Sequence, residues 1–179
     1  ISPTWNTGLG RYVLTSYTYG NATLSARSVD TSVFATSNTD IFNTDFNIRD
    51  QVSPANPKKR SGIVVASGAN VNYVKTGTGT PTVDIEGEKG AGIVVSQGSL
   101  STNAVSFKVK GGATAKNVGI WNANKSGNYV TLTNNAFSVS GGQSSGIVNE
   151  GTNSKLETTG GTFTVSGEKS NVLENKGKV

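Results

Sequence analysis

The sequence predicts an all-β fold: a right-handed parallel β-helix, a three-strand-per-turn solenoid with about five clear rungs plus an N-terminal cap or divergent rungs. Three observations predict it. Two short motifs recur in fixed order along the chain, Gly, Asn, Ser and Thr outweigh the 15% of charged residues, and no segment keeps apolar residues at helical spacing over ten positions.

The first motif is a glycine followed by Ile. Gly62-Ile63-Val64-Val65, Gly92-Ile93-Val94-Val95, Gly119-Ile120-Trp121-Asn122 and Gly146-Ile147-Val148-Asn149 start at intervals of 30, 27 and 27 residues, and a degenerate copy, Asn171-Val172-Leu173-Glu174, follows. The second is an alternating pair that ends in a turn: Val83-Asp84-Ile85-Glu86-Gly87, Phe107-Lys108-Val109-Lys110-Gly111, Phe137-Ser138-Val139-Ser140-Gly141 and Phe163-Thr164-Val165-Ser166-Gly167, with Phe46-Asn47-Ile48 as an earlier copy. A third apolar segment of variable position lies between them, at Val71 and Tyr73, Leu100 with Val105, Val130 and Leu132, then Leu156. Gly, Asn and Ser separate the strands as turn formers.

Strand geometry turns this pattern into a core. In Phe-x-Val the two apolar side chains share one face and the polar residue between them faces solvent. A single repeat cannot bury that face. Stacked repeats can, and they place Phe107, Phe137 and Phe163 in one column and Ile93, Ile120 and Ile147 in another. A β-sandwich also uses short alternating strands, but it does not require the same two motifs to recur in order.

The period divides the chain into residues 1-45, an N-terminal cap or divergent rungs, and residues 46-179, the β-helix repeats. Gln51 to Ser61, with Pro54, Pro57 and Lys58-Lys59-Arg60, reads as a Pro/Lys-rich loop insertion at 51-61.

Composition excludes several chemistries. Cys, His and Met are absent, so the chain holds no disulfide, thiolate nucleophile or imidazole base. Missing cysteines suit the cytosol and an exported chain alike. The net charge of +5 is not concentrated in either half, which makes nucleic acid a poor partner. No apolar stretch approaches a membrane span, and Ile1 to Gly10 lacks the regions of a signal peptide, so the chain reads as an excised or mature fragment without direct membrane insertion.

The repeats Gly92-Ile93-Val94-Val95-Ser96-Gln97-Gly98 and Val165-Ser166-Gly167-Glu168-Lys169-Ser170, with the absent Cys and plentiful Asn, Gly, Ser and Thr, resemble passenger domains of Gram-negative type V autotransporters over roughly residues 46 to 179. The resemblance implies a right-handed β-helix stalk at the bacterial cell surface, anchored in the outer membrane through a barrel outside this stretch. It also implies an adhesive role toward a host or bacterial surface receptor, protein or glycan, with self-association as a further partner mode.

Candidate sites follow from the exceptions to the pattern. Asp84, Glu86 and Glu88 are the closest acidic set; they are either an exposed cross-strand charge ladder with Lys108 and Lys110 or the carboxylates of a polysaccharide-degrading enzyme. A toxin passenger whose activity lies elsewhere is another alternative. The expectation is no enzyme: no catalytic, cofactor-binding or metal residue is assigned. Ligand-contact candidates are Trp121, which stands where other repeats have Val, and Lys58, Lys59 and Arg60. Trp5, Tyr12, Tyr17 and Tyr19 pack a cap or stack on sugars, and the Asn21-Ala22-Thr23 and Asn124-Lys125-Ser126 glycosylation patterns read as chance matches.

Overall fold

The computed structural model describes residues 4–6, 11–14, 18–20, 23–26, 31–49, 60–123, 129–151 and 155–177. Among them the chain forms coils of three strands. β1 (Thr4–Asn6), β2 (Arg11–Leu14), β3 (Thr18–Gly20) and β4 (Thr23–Ala26) lead into a second coil of β5 (Thr31–Ala35), β6 (Thr39–Phe42) and β7 (Asp45–Arg49). Then come β8 (Arg60–Val65), β9 (Ala69–Val74) and β10 (Thr82–Glu86), and after them β11 (Gly90–Val95), β12 (Gly98–Asn103) and β13 (Ser106–Gly111). β14 (Asn117–Asn122), β15 (Tyr129–Thr133), β16 (Ala136–Gly141), β17 (Gln143–Asn149), β18 (Lys155–Thr159), β19 (Thr162–Ser166) and β20 (Lys169–Asn175) complete the stack.

Three sheets run the length of the molecule, in the orders β1-β2-β5-β8-β11-β14-β17-β20 (sheet A), β3-β6-β9-β12-β15-β18 (sheet B) and β4-β7-β10-β13-β16-β19 (sheet C). Every third strand pairs with its equivalent in the next coil, in parallel. This is a parallel β-solenoid, and a sandwich is excluded by it. Strands of the first 45 residues join the same sheets: β2, β3 and β4 pair in parallel with β5, β6 and β7. Among the described residues β1 alone runs antiparallel, against β2.

The repeated apolar residues stack as their spacing requires. Phe46, Val83, Phe107, Phe137 and Phe163 are register partners in sheet C. The Phe107 and Phe137 rings lie 4.6 Å apart at 5°, and Phe137 and Phe163 lie 5.3 Å apart at 6°. Ile63, Ile93, Ile120 and Ile147 form the matching column in sheet A, all buried.

Sheet B holds the segment whose position looks variable in the sequence, and in the structure it is in register. Val71, Leu100, Val130 and Leu156 make one column, and Tyr73, Thr102 and Leu132 the next. Tyr73 belongs to the apolar spacing read from the sequence, and Thr102 is the polar member that breaks it. Thr102 is fully buried and accepts a 2.7 Å hydrogen bond from the Asn135 amide, while the Tyr73 hydroxyl donates to the Thr44 carbonyl. Val105 is not a sheet B residue; it is buried at the corner leading into β13.

The glycine of the Gly-Ile motif is not a turn former. It sits inside a strand, where neighbouring coils come too close for a side chain. A Cβ on Gly119 would lie 2.5 Å from the Gly146 carbonyl oxygen and 3.3 Å from the Phe137 ring, and one on Gly92 would meet the Gly119 oxygen at 2.5 Å.

A polar line, buried at Asn122 and Asn149 and exposed at Asn175, closes the end of sheet A. Asn122, Asn149 and Asn175 are register partners at the end of sheet A, where earlier coils place Val65 and Val95. The Asn122 amide donates to Asn149 at 2.8 Å and Asn149 donates to Asn175 at 2.8 Å. Such a ladder satisfies amides that would otherwise be stranded in the core.

Candidate functional site

The outward faces of the three sheets differ in chemistry. On sheet C the outward register line is Asn47, Asp84, Lys108, Ser138 and Thr164, and on sheet B it is Asp40, Asn72, Ser101, Thr131 and Glu157. Sheet A instead aligns Phe34, Val64, Val94, Trp121 and Val148 before ending in Glu174. Ala91, Val118 and Val148 are buried there, with Val94 and Trp121 packed against them as a cluster separate from the core. Ala91 and Val94 share this face three positions apart, because strict alternation is interrupted at Gly92, which lies against the core.

A groove of about 530 Å³ runs over these residues. Its floor is Val64, Ala91, Val94, Val118, Trp121 and Val148, and its charged rim includes Lys89, Lys116, Glu150, Glu174 and Lys176. The volume is that of a small-molecule or saccharide site.

Trp121 is half-buried and lines the groove, and its indole Nε1 donates to Glu150 at 3.0 Å. Lys176 pairs with the other oxygen of Glu150 at 3.4 Å. Glu174 pairs with Lys116 and accepts from the Ser145 hydroxyl at 2.6 Å. Burial raises the Glu174 pKa, but the hydrogen bonds from Lys116 and Ser145 and the Lys116 charge outweigh it and hold the carboxyl below its ordinary value. A group depressed in the folded state stabilises above the unfolded carboxylate pKa of about 4.3 and loses that contribution as pH falls through the folded value. The unfolding temperature is therefore expected to be level between about pH 5 and 8 and to drop on acidification. Thermal scans of Glu174→Gln should show a shallower acid drop than wild type, and an identical pH profile would refute the assignment.

Arg60 is not a loop residue exposed to solvent. It begins β8 and is 3% exposed, with one guanidinium nitrogen donating to the Arg49 carbonyl at 2.8 Å and another to the Glu88 carbonyl. The guanidinium closes the corner between sheets C and A that Asn117 closes two coils on, through 2.7 and 2.8 Å bonds to the Gly87 and Lys110 carbonyls. Lys58 and Lys59 lie outside the described residues, as do the rest of the 51-59 stretch, the side chains of Trp5, Tyr12, Tyr17 and Tyr19, and both Asn positions of the glycosylation patterns.

The three carboxylates of the acidic set are separately engaged. Asp84 pairs with Arg49 at 2.6 Å and Glu86 with Lys110 at 2.7 Å, forming a ladder across sheet C. Hydrogen bonding from Lys110, then its charge, holds the Glu86 carboxyl below its ordinary value. Glu88 is buried and accepts from the backbone N–H groups of Thr114 (3.3 Å) and Ala115 (2.6 Å), tying down the turn before β14. Among the described residues no three acidic side chains converge as a metal-ligand set.

The fold and this groove define the class of molecule, a parallel β-solenoid with one apolar outer face. Comparison with protein-family models, curated proteins and solved structures gave no match to the chain.

Proposed function

We propose that this chain is a rigid adhesion scaffold displayed on a bacterial surface, part of the passenger of a type V autotransporter, and that it grips another cell through the outer face of sheet A. The carrying observation is the contrast between faces. Two are polar, whereas sheet A aligns half-buried Phe34, Val64, Val94 and Trp121 across successive coils, with the buried Val148 next in line. A contiguous outward apolar line with a charged rim is what a contact surface needs, and it has no role in a purely solvated stalk. The solenoid holds that line at a fixed coil spacing of about 4.8 Å, so a partner meets a preorganised surface. The degradative alternative draws no support from Asp84 and Glu86, because each is ion-paired.

Beads coated with the chain are expected to attach to cells, and Trp121→Ala is expected to weaken attachment about tenfold, the effect of losing an aromatic anchor. Circular dichroism would verify that the variant stays folded. Undiminished attachment of a folded Trp121→Ala chain would sink the proposal.

A further inference from the structure

The groove's chemistry specifies more than adhesion. Its floor is an apolar strip that includes an indole, the kind of surface on which the C–H face of a sugar ring packs. Its rim carries Lys89, Lys116 and Lys176 against Glu150 and Glu174, with the Arg60 guanidinium buried at the neighbouring corner. Both acids are already neutralised from within, Glu174 by Lys116 and Glu150 by Lys176. Lys89 is left exposed at the groove edge, among the described residues without a carboxylate partner.

Lys89 also belongs to a line. It immediately precedes Gly90, as Lys116 precedes Asn117, and β11 and β14 are parallel neighbours with Ala91 opposite Val118. The two lysines therefore start one coil apart along the same edge of the strip, the Lys116 ammonium turned to Glu174 and the Lys89 ammonium left facing solvent. A chain ligand lying along the solenoid axis would meet apolar contacts from Val64 to Trp121 and positive charge from Lys89 on one side. A neutral polymer would leave the Lys89 charge unanswered, and an apolar helix would place its side chains against it.

We infer that the sheet A groove binds a linear anionic polysaccharide, its sugar rings packed over Val94 and Trp121 and a carboxylate or sulfate group against Lys89. The inference rests on the adhesion reading and names the ligand class for that same face.

Binding of the intact chain to immobilised polygalacturonate, heparin and dextran, with polyglutamate as the acidic polypeptide, tests it. One or both acidic polysaccharides should be retained well above dextran and polyglutamate, and retention should fall as salt is raised. Trp121→Ala should weaken binding about tenfold and Lys89→Gln roughly threefold to fivefold. Lys108→Gln removes the same charge from exposed sheet C and should change nothing beyond error. Equal capture of dextran or polyglutamate, an equal loss in Lys108→Gln, or full binding by Trp121→Ala would each overturn the inference. Cells bound through Trp121 without capture of either acidic polysaccharide would overturn the ligand class while leaving adhesion standing; attachment indifferent to Trp121 would remove both.

Discussion

Gly119→Ala is expected to lower the unfolding temperature by about 10 °C, although it adds one methyl group. The new Cβ would lie 2.5 Å from the Gly146 carbonyl oxygen, a backbone atom that cannot swing aside, and 3.2 Å from Val109. Relief requires two coils to part, which stretches the sheet A hydrogen bonds between β14 and β17. Overpacking of this kind costs about 3 kcal/mol at the upper end of its usual range, and in a domain of this length each kcal/mol moves the midpoint by roughly 2–4 °C. Gly79→Ala is the matched control. Nothing lies within 4 Å of a Cβ there, so the change should be neutral or slightly stabilising. Thermal unfolding followed by circular dichroism separates the two, and equal midpoints would show that the glycine column is not set by contact between coils.

Phe137→Ala should cost about 3–5 kcal/mol, the usual penalty for emptying a buried aromatic site. Phe137 is 2% exposed and sandwiched in parallel between Phe107 and Phe163, so its loss breaks two ring contacts and leaves a void in the middle of the column. Phe163 is 38% exposed, and Phe163→Ala should cost far less. Because each coil touches only its neighbours, the damage should also be local. Hydrogen exchange is expected to show lost protection in β16 and β19 while β7 and β10 stay protected. Uniform loss along the molecule would contradict the stacked-coil account of its stability.

The architecture was legible in the sequence because its determinants are periodic. Phe107, Phe137 and Phe163 recur at nearly constant spacing, and parallel stacking is the arrangement that buries them all. What escaped detection was polar or local. Thr102 occupies a core position in sheet B and reads as solvent-facing, since nothing in the chain order announces that Asn135 will meet it. Arg60 looked like a loop cation because Lys58, Lys59 and two prolines precede it, yet its bonds are to carbonyls brought together only by coiling. The reason for the Gly-Ile glycines was not legible, because sequence records the missing side chain and not the neighbouring coil that forbids it.

The candidate site was half legible. Trp121 stood out as an exception, but the signal lay in the three valines at the equivalent place. After Ile63, Ile93, Ile120 and Ile147, alternation calls for a polar residue, and the chain supplies Val64, Val94, Trp121 and Val148. Four apolar residues in an outward position mark a face, where one would mark a local variant. Lys89 could not be singled out, because its place on the groove edge depends on register between coils.

The amide line of Asn122, Asn149 and Asn175 bears on how such a chain avoids assembling out of sequence. Its isoleucine columns are interchangeable, so β17 could dock on β11 and skip β14 with little loss of apolar fit. That mistake would break the bond from Asn122 to Asn149, leaving the Asn122 amide without that acceptor at a cost of about 1–3 kcal/mol. Hydrocarbon neighbours cannot proofread one another; hydrogen-bonding ones can. The switch from valine to asparagine between β11 and β14 thereby makes coil order, as well as coil alignment, an energetic property of the native state.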